Sequence, residues 1–251
     1  MSIIPPISPT SSGTREVIYP TGDGRPLAET PVHRDNLVIT IKILERKFAE
    51  DPMVYVSGNM LMFYEQGNKH RHVAPDVFMT RGVPKEKPRK SYFVWEEGRG
   101  PDLVIELTSK STRKEDLETK LRLYRDTLHV SEYFLFDPYA EYLRPPLKGF
   151  RLDGTEYVPV ELDAGRLKSD VARVEFEAHG MDLWVFDADT GGRLLRDTEA
   201  RDVAEEQLAE SRAELVRAEA EREQLAGALE TSQSEIERLR RELDALRRRQ
   251  P

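Results

Sequence analysis

The sequence contains no cysteine, which excludes disulfide bonds, thiolate zinc sites and cysteine nucleophiles. It also lacks a long apolar run. Pro5, Pro6 and Pro9 interrupt the N-terminal segment, so neither a secretory signal nor a membrane span is predicted. We therefore expect a cytoplasmic protein without a membrane partner.

The chain also lacks an excess of positive charge, since its formal net charge is -8. A basic domain that binds nucleic acid through its bulk charge is thereby excluded. Contact with phosphate would have to come from local basic clusters, for which solvated surface is an equal alternative. The first cluster is Arg81, Lys85, Lys87, Arg89 and Lys90, and the second is Lys110, Arg113, Lys114, Lys120, Arg122 and Arg125.

The chain has 251 residues, of which 38% are hydrophobic, enough for one substantial core. Residues 1–31 are rich in Pro, Ser, Thr and Gly, which predicts a flexible leader. Residues 32–197 are predicted to form one α/β domain, and residues 198–251 differ completely in composition. A helix that starts at Asp35 or Asn36 opens the domain, and short strands follow.

These predicted strands are short apolar segments separated by glycine and proline. Segments 53–56, 60–64 and 77–80 are interpreted as a meander. Further strands are expected after Pro138, at 141–143, 149–152, 156–160 and 183–186.

Residues 101–138 form the unit around which the domain is organised. Glu106 lies within a short apolar run that predicts a buried strand. Thr112 and Glu115 then fit a capping box, and an apolar stripe predicts a helix over 113–128. Its members are Leu117, Leu121, Tyr124 and Leu128. Because residues 133–136 are again apolar, we expect two parallel strands joined by this helix, with Glu106 facing the helix.

The C-terminal segment carries apolar residues on two registers of seven residues, which predicts a coiled coil. One register holds Leu208, Leu215, Leu229, Ile236 and Leu243, and the other holds Ala218, Leu225, Leu239 and Leu246. A homodimer or a partner protein would complete it. The alternative is a single amphipathic helix folded onto the domain.

Two carboxylates lie in neighbouring strand-sized segments, Asp76 at the start of one and Glu106 inside another. Carboxylates on adjacent strands can share a divalent cation, which prefers oxygen ligands. Lys120 lies about 60° from the centre of the helical stripe, a position from which its ammonium can reach back to them. Taken singly, Asp76 is also a common strand opener and Lys120 a common surface lysine.

Other polar residues are weaker candidates. Asp102 shares the strand parity of Glu106 and is either a further ligand or a solvated turn residue. His70 and His72 alternate onto one strand face, a pattern that suits a transition metal but lacks a third ligand. Asp116 and Glu118 are predicted to stabilise the helix N-terminus.

Over roughly residues 33–195, the chain resembles the Uma-two family of predicted endonucleases, a branch of the PD-(D/E)XK restriction-endonuclease-like superfamily. The resemblance rests on PDLVIELTSKSTRKEDLETKLRLYRDTLHVSEYFLFDP, with VAPDVFM upstream. It implies a central mixed sheet flanked by helices, with Asp76 and Glu106 as ligands of Mg²⁺ or Mn²⁺. The lysine expected at the position of Thr108 would have migrated to Lys120. Glu29 and His33 are the best matches to an acidic residue and a histidine near the first helix.

We therefore expect a metal-dependent endonuclease that hydrolyses phosphodiester bonds in DNA, with Asp76, Glu106 and Lys120 as catalytic residues. The alternative is a catalytically silent scaffold of the same fold that acts through its coiled coil. The acidic net charge favours the scaffold, whereas the intact Asp-Glu-Lys set favours the enzyme. An enzyme that acts on RNA is a third hypothesis.

Overall fold

The computed structural model describes residues 17–22 and 30–247 of the chain. The chain divides between Arg196 and Asp197 into two compact units. Most of the predicted leader, including Glu29, lies outside the described residues.

The described elements of the first unit are mostly strands. In chain order they are β1 (Val54–Ser57), β2 (Met62–Phe63), β3 (His72–Val73), β4 (Val77–Arg81), β5 (Tyr92–Phe93), β6 (Leu103–Leu107), β7 (Glu132–Phe136), β8 (Leu147–Asp153), β9 (Glu156–Val160), β10 (Arg166–Ser169), β11 (Val174–His179) and β12 (Asp182–Asp187). Its helices are α1 (Pro31–Lys47), the short α2 (Val94–Glu97), and residues 113–127, which we name the site helix.

A six-stranded mixed sheet with the order β1-β4-β6-β7-β8-β9 forms the centre of this unit. Strands β6 and β7 are parallel and joined through the site helix, whereas the other neighbours in the sheet are antiparallel. The predicted strand, helix and parallel strand over residues 101–138 are therefore confirmed. So is the predicted α/β class, a mixed sheet flanked by helices.

Two smaller sheets differ from the prediction. The predicted meander is wrong, because β1 pairs with β4 while β2 belongs to a separate sheet with the order β3-β2-β5. Tyr19 packs edge-on against Phe63 and Phe93 of that sheet, and its hydroxyl accepts a hydrogen bond from Gly67 N at 2.6 Å. The other sheet, β10-β11-β12, contains two strands that the sequence analysis missed. Residues 141–143, predicted as a strand, form a bend.

The central sheet carries a separate hydrophobic core on each face. On one face, alternate residues of β4, β6 and β7 pack with α1 and with the sheet β10-β11-β12. On the other face, Phe78, Val104 and Leu135 pack with Tyr124 and Leu128 from the site helix region. Strands β6 and β7 are buried along their whole length, as expected for central strands covered on both faces.

Helix α1 begins earlier than predicted because Thr30 caps it. The Thr30 side chain accepts a hydrogen bond from His33 N at 3.2 Å, and Pro31 occupies the first helical turn. Asn36, one of the two predicted caps, is instead buried within the helix. Its Nδ2 donates to Met181 O at 2.8 Å and its Oδ1 accepts from Leu183 N at 2.8 Å, which ties α1 to β12.

The second unit consists of one long helix, α3 (Asp197–Arg247), where the sequence predicts a helix. The large apolar side chains between residues 197 and 243 are exposed, namely Val203, Leu208, Leu215, Val216, Leu225, Leu229, Ile236, Leu239 and Leu243. The pairing of this helix in a coiled coil stays a prediction. Across residues 17–22 and 30–247, no helix is both long and apolar enough to span a bilayer.

Candidate active site

Asp76 and Glu106 lie side by side on neighbouring antiparallel strands. Val77 pairs with Ile105, and one more step along this register places Asp76 opposite Glu106. Directly opposed residues project from the same face of a sheet, with their Cβ atoms about 5 Å apart. Asp76 Oδ2 also accepts a hydrogen bond from Leu107 N at 2.8 Å, so the carboxylate is fixed at the C-terminal end of β6.

Glu106 is completely buried, and the site helix supplies partners for both of its carboxylate oxygens. Lys120 Nζ donates to Oε2 at 2.9 Å, and the Tyr124 hydroxyl donates to Oε1 at 2.6 Å. The side chain of Glu106 therefore faces the helix, and Lys120 reaches it from that helix.

Asp116 completes this cluster, a position that the sequence analysis missed. Its Oδ1 lies 3.1 Å from Lys120 Nζ, and its Oδ2 accepts a hydrogen bond from Thr108 Oγ1 at 2.7 Å. On an α-helical wheel Asp116 lies about 110° from the centre of the apolar stripe, which suggests a surface position. In the structure, residues Glu115–Lys120 have π-type hydrogen bonding, and the wider turn brings Asp116 under the helix. The four-residue spacing between Asp116 and Lys120 was the one available signal.

The other side of Asp76 is closed by α1 and β1. His33 Nε2, in the first turn of α1, lies 3.4 Å from Asp76 Oδ2. Gly58 follows β1 directly, and a Cβ atom there would lie 1.9 Å from Asp76 O. Only glycine permits this approach of the two backbones, which sets where Asp76 enters the sheet.

The cluster is rich in carboxylates, and the pKa values respond. Burial, together with the charges of Asp76 and Asp116, raises the pKa of Glu106 to about 8, and the charge of Lys120 opposes this rise. Burial disfavours the Lys120 ammonium, but these three carboxylates outweigh burial and hold the pKa of Lys120 above its ordinary value. Burial also disfavours the Asp76 carboxylate, yet the nearby His33 imidazole, the charge of Lys120 and the hydrogen bond from Leu107 N leave the pKa of Asp76 lowered. The Lys120 ammonium thus lies among three acidic side chains, in contact with Glu106 and Asp116 and within the electrostatic influence of Asp76.

A family model matches this chain over residues 14–180, that of the Uma2 family, described as "Putative restriction endonuclease". The chain belongs to this family. A solved structure described as a putative nuclease belonging to DUF820, from Anabaena variabilis, is similar at 11% sequence identity, covering 57% of this chain and 74% of the other with a TM-score of 0.43. No match was found among curated proteins. Membership of the Uma2 family confirms the resemblance seen in the sequence and supports a nuclease function.

Other candidates lie away from the site of this Uma2 protein. Asp102 is neither a ligand nor a solvated turn residue. Its Oδ2 accepts from Arg81 N at 2.6 Å and its Oδ1 from Arg99 Nη2 at 2.5 Å, at the opposite end of β6 from Thr108. His70 is exposed, and His72 Nδ1 is 2.9 Å from Lys69 O, so neither forms part of a ligand cluster in the described structure.

The two basic clusters of the Uma2 chain differ in their availability. Most side chains of the first cluster form ion pairs or hydrogen bonds within the domain. Lys87 and Arg89 pair with Glu97, and Lys85 donates to Phe48 O at 3.2 Å. In the second cluster, Lys110, Arg113, Lys114 and Arg122 are exposed. Only the second therefore offers an exposed cationic surface beside the site.

The residues of the Uma2 site fit a divalent cation. Among residues 17–22 and 30–247, no group of three or more His, Asp or Glu side chains is arranged as a complete metal cage. The protein ligands would therefore be the opposed carboxylates of Asp76 and Glu106. Two carboxylates with several retained waters is a coordination that Mg²⁺ commonly adopts. Asp76 Oδ1 has no described protein partner, whereas both oxygens of Glu106 would share their ligand role with Lys120 and Tyr124.

Proposed function

We propose that this protein is a metal-dependent endonuclease that hydrolyses phosphodiester bonds in DNA. The observation that carries the proposal is the meeting of Asp76, Glu106 and Lys120 at one end of β6, with Glu106 buried and in contact with Lys120 at 2.9 Å. Asp76 and Glu106 would hold Mg²⁺ or Mn²⁺. When bound, the cation supplies a Lewis acid and a water of lowered pKa.

The side chains around the cation have separate tasks. Tyr124 holds one oxygen of Glu106 and so fixes the orientation of the carboxylate. The Lys120 ammonium lies at the rim of the site, partly exposed. From there it would orient the attacking water and stabilise negative charge on the phosphorane as it develops. A fixed cation that needs no reorganisation during reaction is the arrangement that such stabilisation requires.

The exposed part of the second basic cluster would hold the substrate. Lys110 lies in the loop after β6, Arg113 and Lys114 in the first turn of the site helix, and Arg122 further along the helix. Cations so placed can contact phosphates on either side of the scissile bond, although the chain as a whole is acidic. The description of the Uma2 family as restriction endonucleases favours DNA over RNA as the substrate.

We further propose that a second copy of the chain pairs with α3. Leu229, Ile236 and Leu243 repeat every seven residues and are exposed in the described helix. In a parallel pair in register, Glu235 of one helix would face Arg240 of the other, an attraction typical of coiled coils. Two sites in one particle would also suit an enzyme that cuts both strands.

Cleavage of supercoiled plasmid in low salt with Mg²⁺ tests the enzymatic proposal. We expect the wild type to nick or linearise the plasmid, and Asp76→Asn, Glu106→Gln and Lys120→Met to lose at least about 100-fold in rate. The matched controls are Glu118→Gln and Lys114→Met, exposed residues of the same helix, and the first should retain full rate. Lys114→Met should keep the rate at saturating DNA, weaken DNA binding most at low salt, and reduce the salt dependence of binding.

Two results would overturn the enzymatic proposal. The first is a wild type that leaves the plasmid intact with Mg²⁺ and with Mn²⁺, which would favour the silent scaffold. The second is cleavage that survives all three site variants, which would place the activity elsewhere in the chain.

A further inference from the structure

Asp116 is a buried carboxylate with no place in the proposed role of the metal ligands. It is 1% exposed, although it lies near the start of a helix whose neighbouring acidic residues, Glu115 and Glu118, are exposed. An isolated buried charge is costly, so a carboxylate is retained at such a position only where the surroundings are built for it.

Neighbouring polar groups compensate for the burial of Asp116. Thr108 Oγ1 donates to Oδ2 at 2.7 Å, and since its single hydrogen is used there, the Tyr142 hydroxyl that contacts Thr108 must donate in turn. The Tyr133 hydroxyl donates to the backbone oxygen of Asp116 at 2.9 Å. Oδ1 is left with the Lys120 ammonium at 3.1 Å as its described partner.

Lys120 therefore lies between two buried carboxylates, 2.9 Å from Glu106 and 3.1 Å from Asp116. An ammonium on a flexible four-carbon chain that had Glu106 as its sole partner could swing about that carboxylate. An anchored second carboxylate holds the ammonium at a fixed point beside Glu106.

We propose that Asp116 is a positioning residue, which shares Lys120 with Glu106 and thereby fixes the ammonium for the reaction. The effect of Asp116 on catalysis rests on the proposed nuclease function. Its restraint of the Lys120 ammonium, which we call the hold on Lys120, does not. Both parts can be measured separately.

The hold on Lys120 is tested in metal-free, full-length protein by a double-mutant cycle of Asp116→Asn and Lys120→Met. We expect Asp116→Asn to raise the unfolding equilibrium constant about tenfold in the wild-type background and to change it little when combined with Lys120→Met. If Asp116→Asn fails to fold, Thr108→Val removes the other anchor of Asp116 without changing a charge and gives the same cycle. Equal effects in both backgrounds would mean that Asp116 does not act through Lys120 and would overturn the proposal.

The catalytic part is tested by kinetics. We expect Asp116→Asn to lower kcat about 100-fold through misplacement of the ammonium, with KM within twofold of the wild-type value. An active wild type whose kcat falls with Lys120→Met but not with Asp116→Asn would overturn the positioning role. If the cycle shows coupling and the wild type cleaves nothing, the nuclease proposal fails while the hold of Asp116 on Lys120 stands.

Discussion

The stability of the fold does not explain why the carboxylate of Glu106 is buried. A carboxylate at the centre of a sheet loses its hydration, and a buried ion pair commonly stabilises a fold no better than apolar side chains of the same volume. The chain nevertheless places Glu106 at 0% exposure and surrounds it with Lys120, Tyr124 and, one strand away, Asp76. Groups whose pKa values are shifted by burial and by specific charges are characteristic of functional sites.

Asp187, in contrast, is an acidic residue with a structural role. The hydrogen bond from Lys47 Nζ at 2.5 Å, with those from the backbone N–H groups of Thr190 and Asp189, holds the pKa of Asp187 well below its usual range. Its carboxylate therefore stabilises the fold above the ordinary pKa of about 4, and this contribution is lost as the pH falls through the lowered pKa.

We expect Asp187→Asn to lower the free energy of unfolding by about 1 kcal/mol at neutral pH. The difference from the wild type should shrink as the pH falls below about 4. Urea denaturation at several pH values measures both, with Asp189→Asn as the exposed control. A difference that stays constant down to strongly acidic pH would contradict this role.

The individual site residues were partly predictable. Asp76 and Glu106 could be singled out because one opens a strand-sized apolar segment and the other lies inside such a segment, where a buried carboxylate is rare. The burial of Asp116 could not be predicted, because a helical wheel assumes α-helical turns, whereas Glu115–Lys120 form a π-type turn. The links from Asp102 to Arg81 and Arg99 depend on a loop conformation that no periodicity encodes.

Among the elements, the site helix differs most from its prediction. Its extent agrees with the apolar stripe, but Glu115–Lys120 and Leu123–Thr127 are π-type turns. Thr112, predicted to cap the helix, accepts a hydrogen bond from Ser109 N at 3.0 Å in the preceding turn. Such turns occur often at functional sites, and here they bring Asp116, Lys120 and Tyr124 together under one helix.

The strands of the sheet show which signals carry information. The parallel pair β6 and β7 followed from two continuous apolar runs joined by an amphipathic helix. The sequence of strand β11 has the alternation typical of a half-buried strand, since Val174 and Phe176 alternate with Glu175 and Glu177. The two-residue strand β2 carried too little pattern to show that its partners are β3 and β5 rather than β1.

For the whole molecule, the exposed stripe of α3 predicts assembly. We expect the full-length protein to be a dimer by light scattering, and Leu229→Glu with Ile236→Glu to make it a monomer, because charges in the seam oppose pairing. Ser234→Glu, on the outward face in the same register, should remain dimeric. Arg222 lies within the seam and would face Glu221 or Glu223 of its partner copy, which would set the register.

A wild-type protein that is monomeric at all accessible concentrations would contradict this assembly. So would equal behaviour of the seam variants and Ser234→Glu. In either case α3 would have to be a helix without a second copy as its partner.

The most direct measurement of the central claim is the change in thermal stability on adding Mg²⁺. If Asp76 and Glu106 bind the cation, magnesium at 100 times its Kd should stabilise the wild type by about 2.7 kcal/mol. Lys120→Met should gain comparably, because Lys120 is not a ligand, whereas Asp76→Asn and Glu106→Gln should gain nothing. Equal gains in all four proteins, or no gain in the wild type, would contradict the assignment of this cluster as a metal-dependent active site.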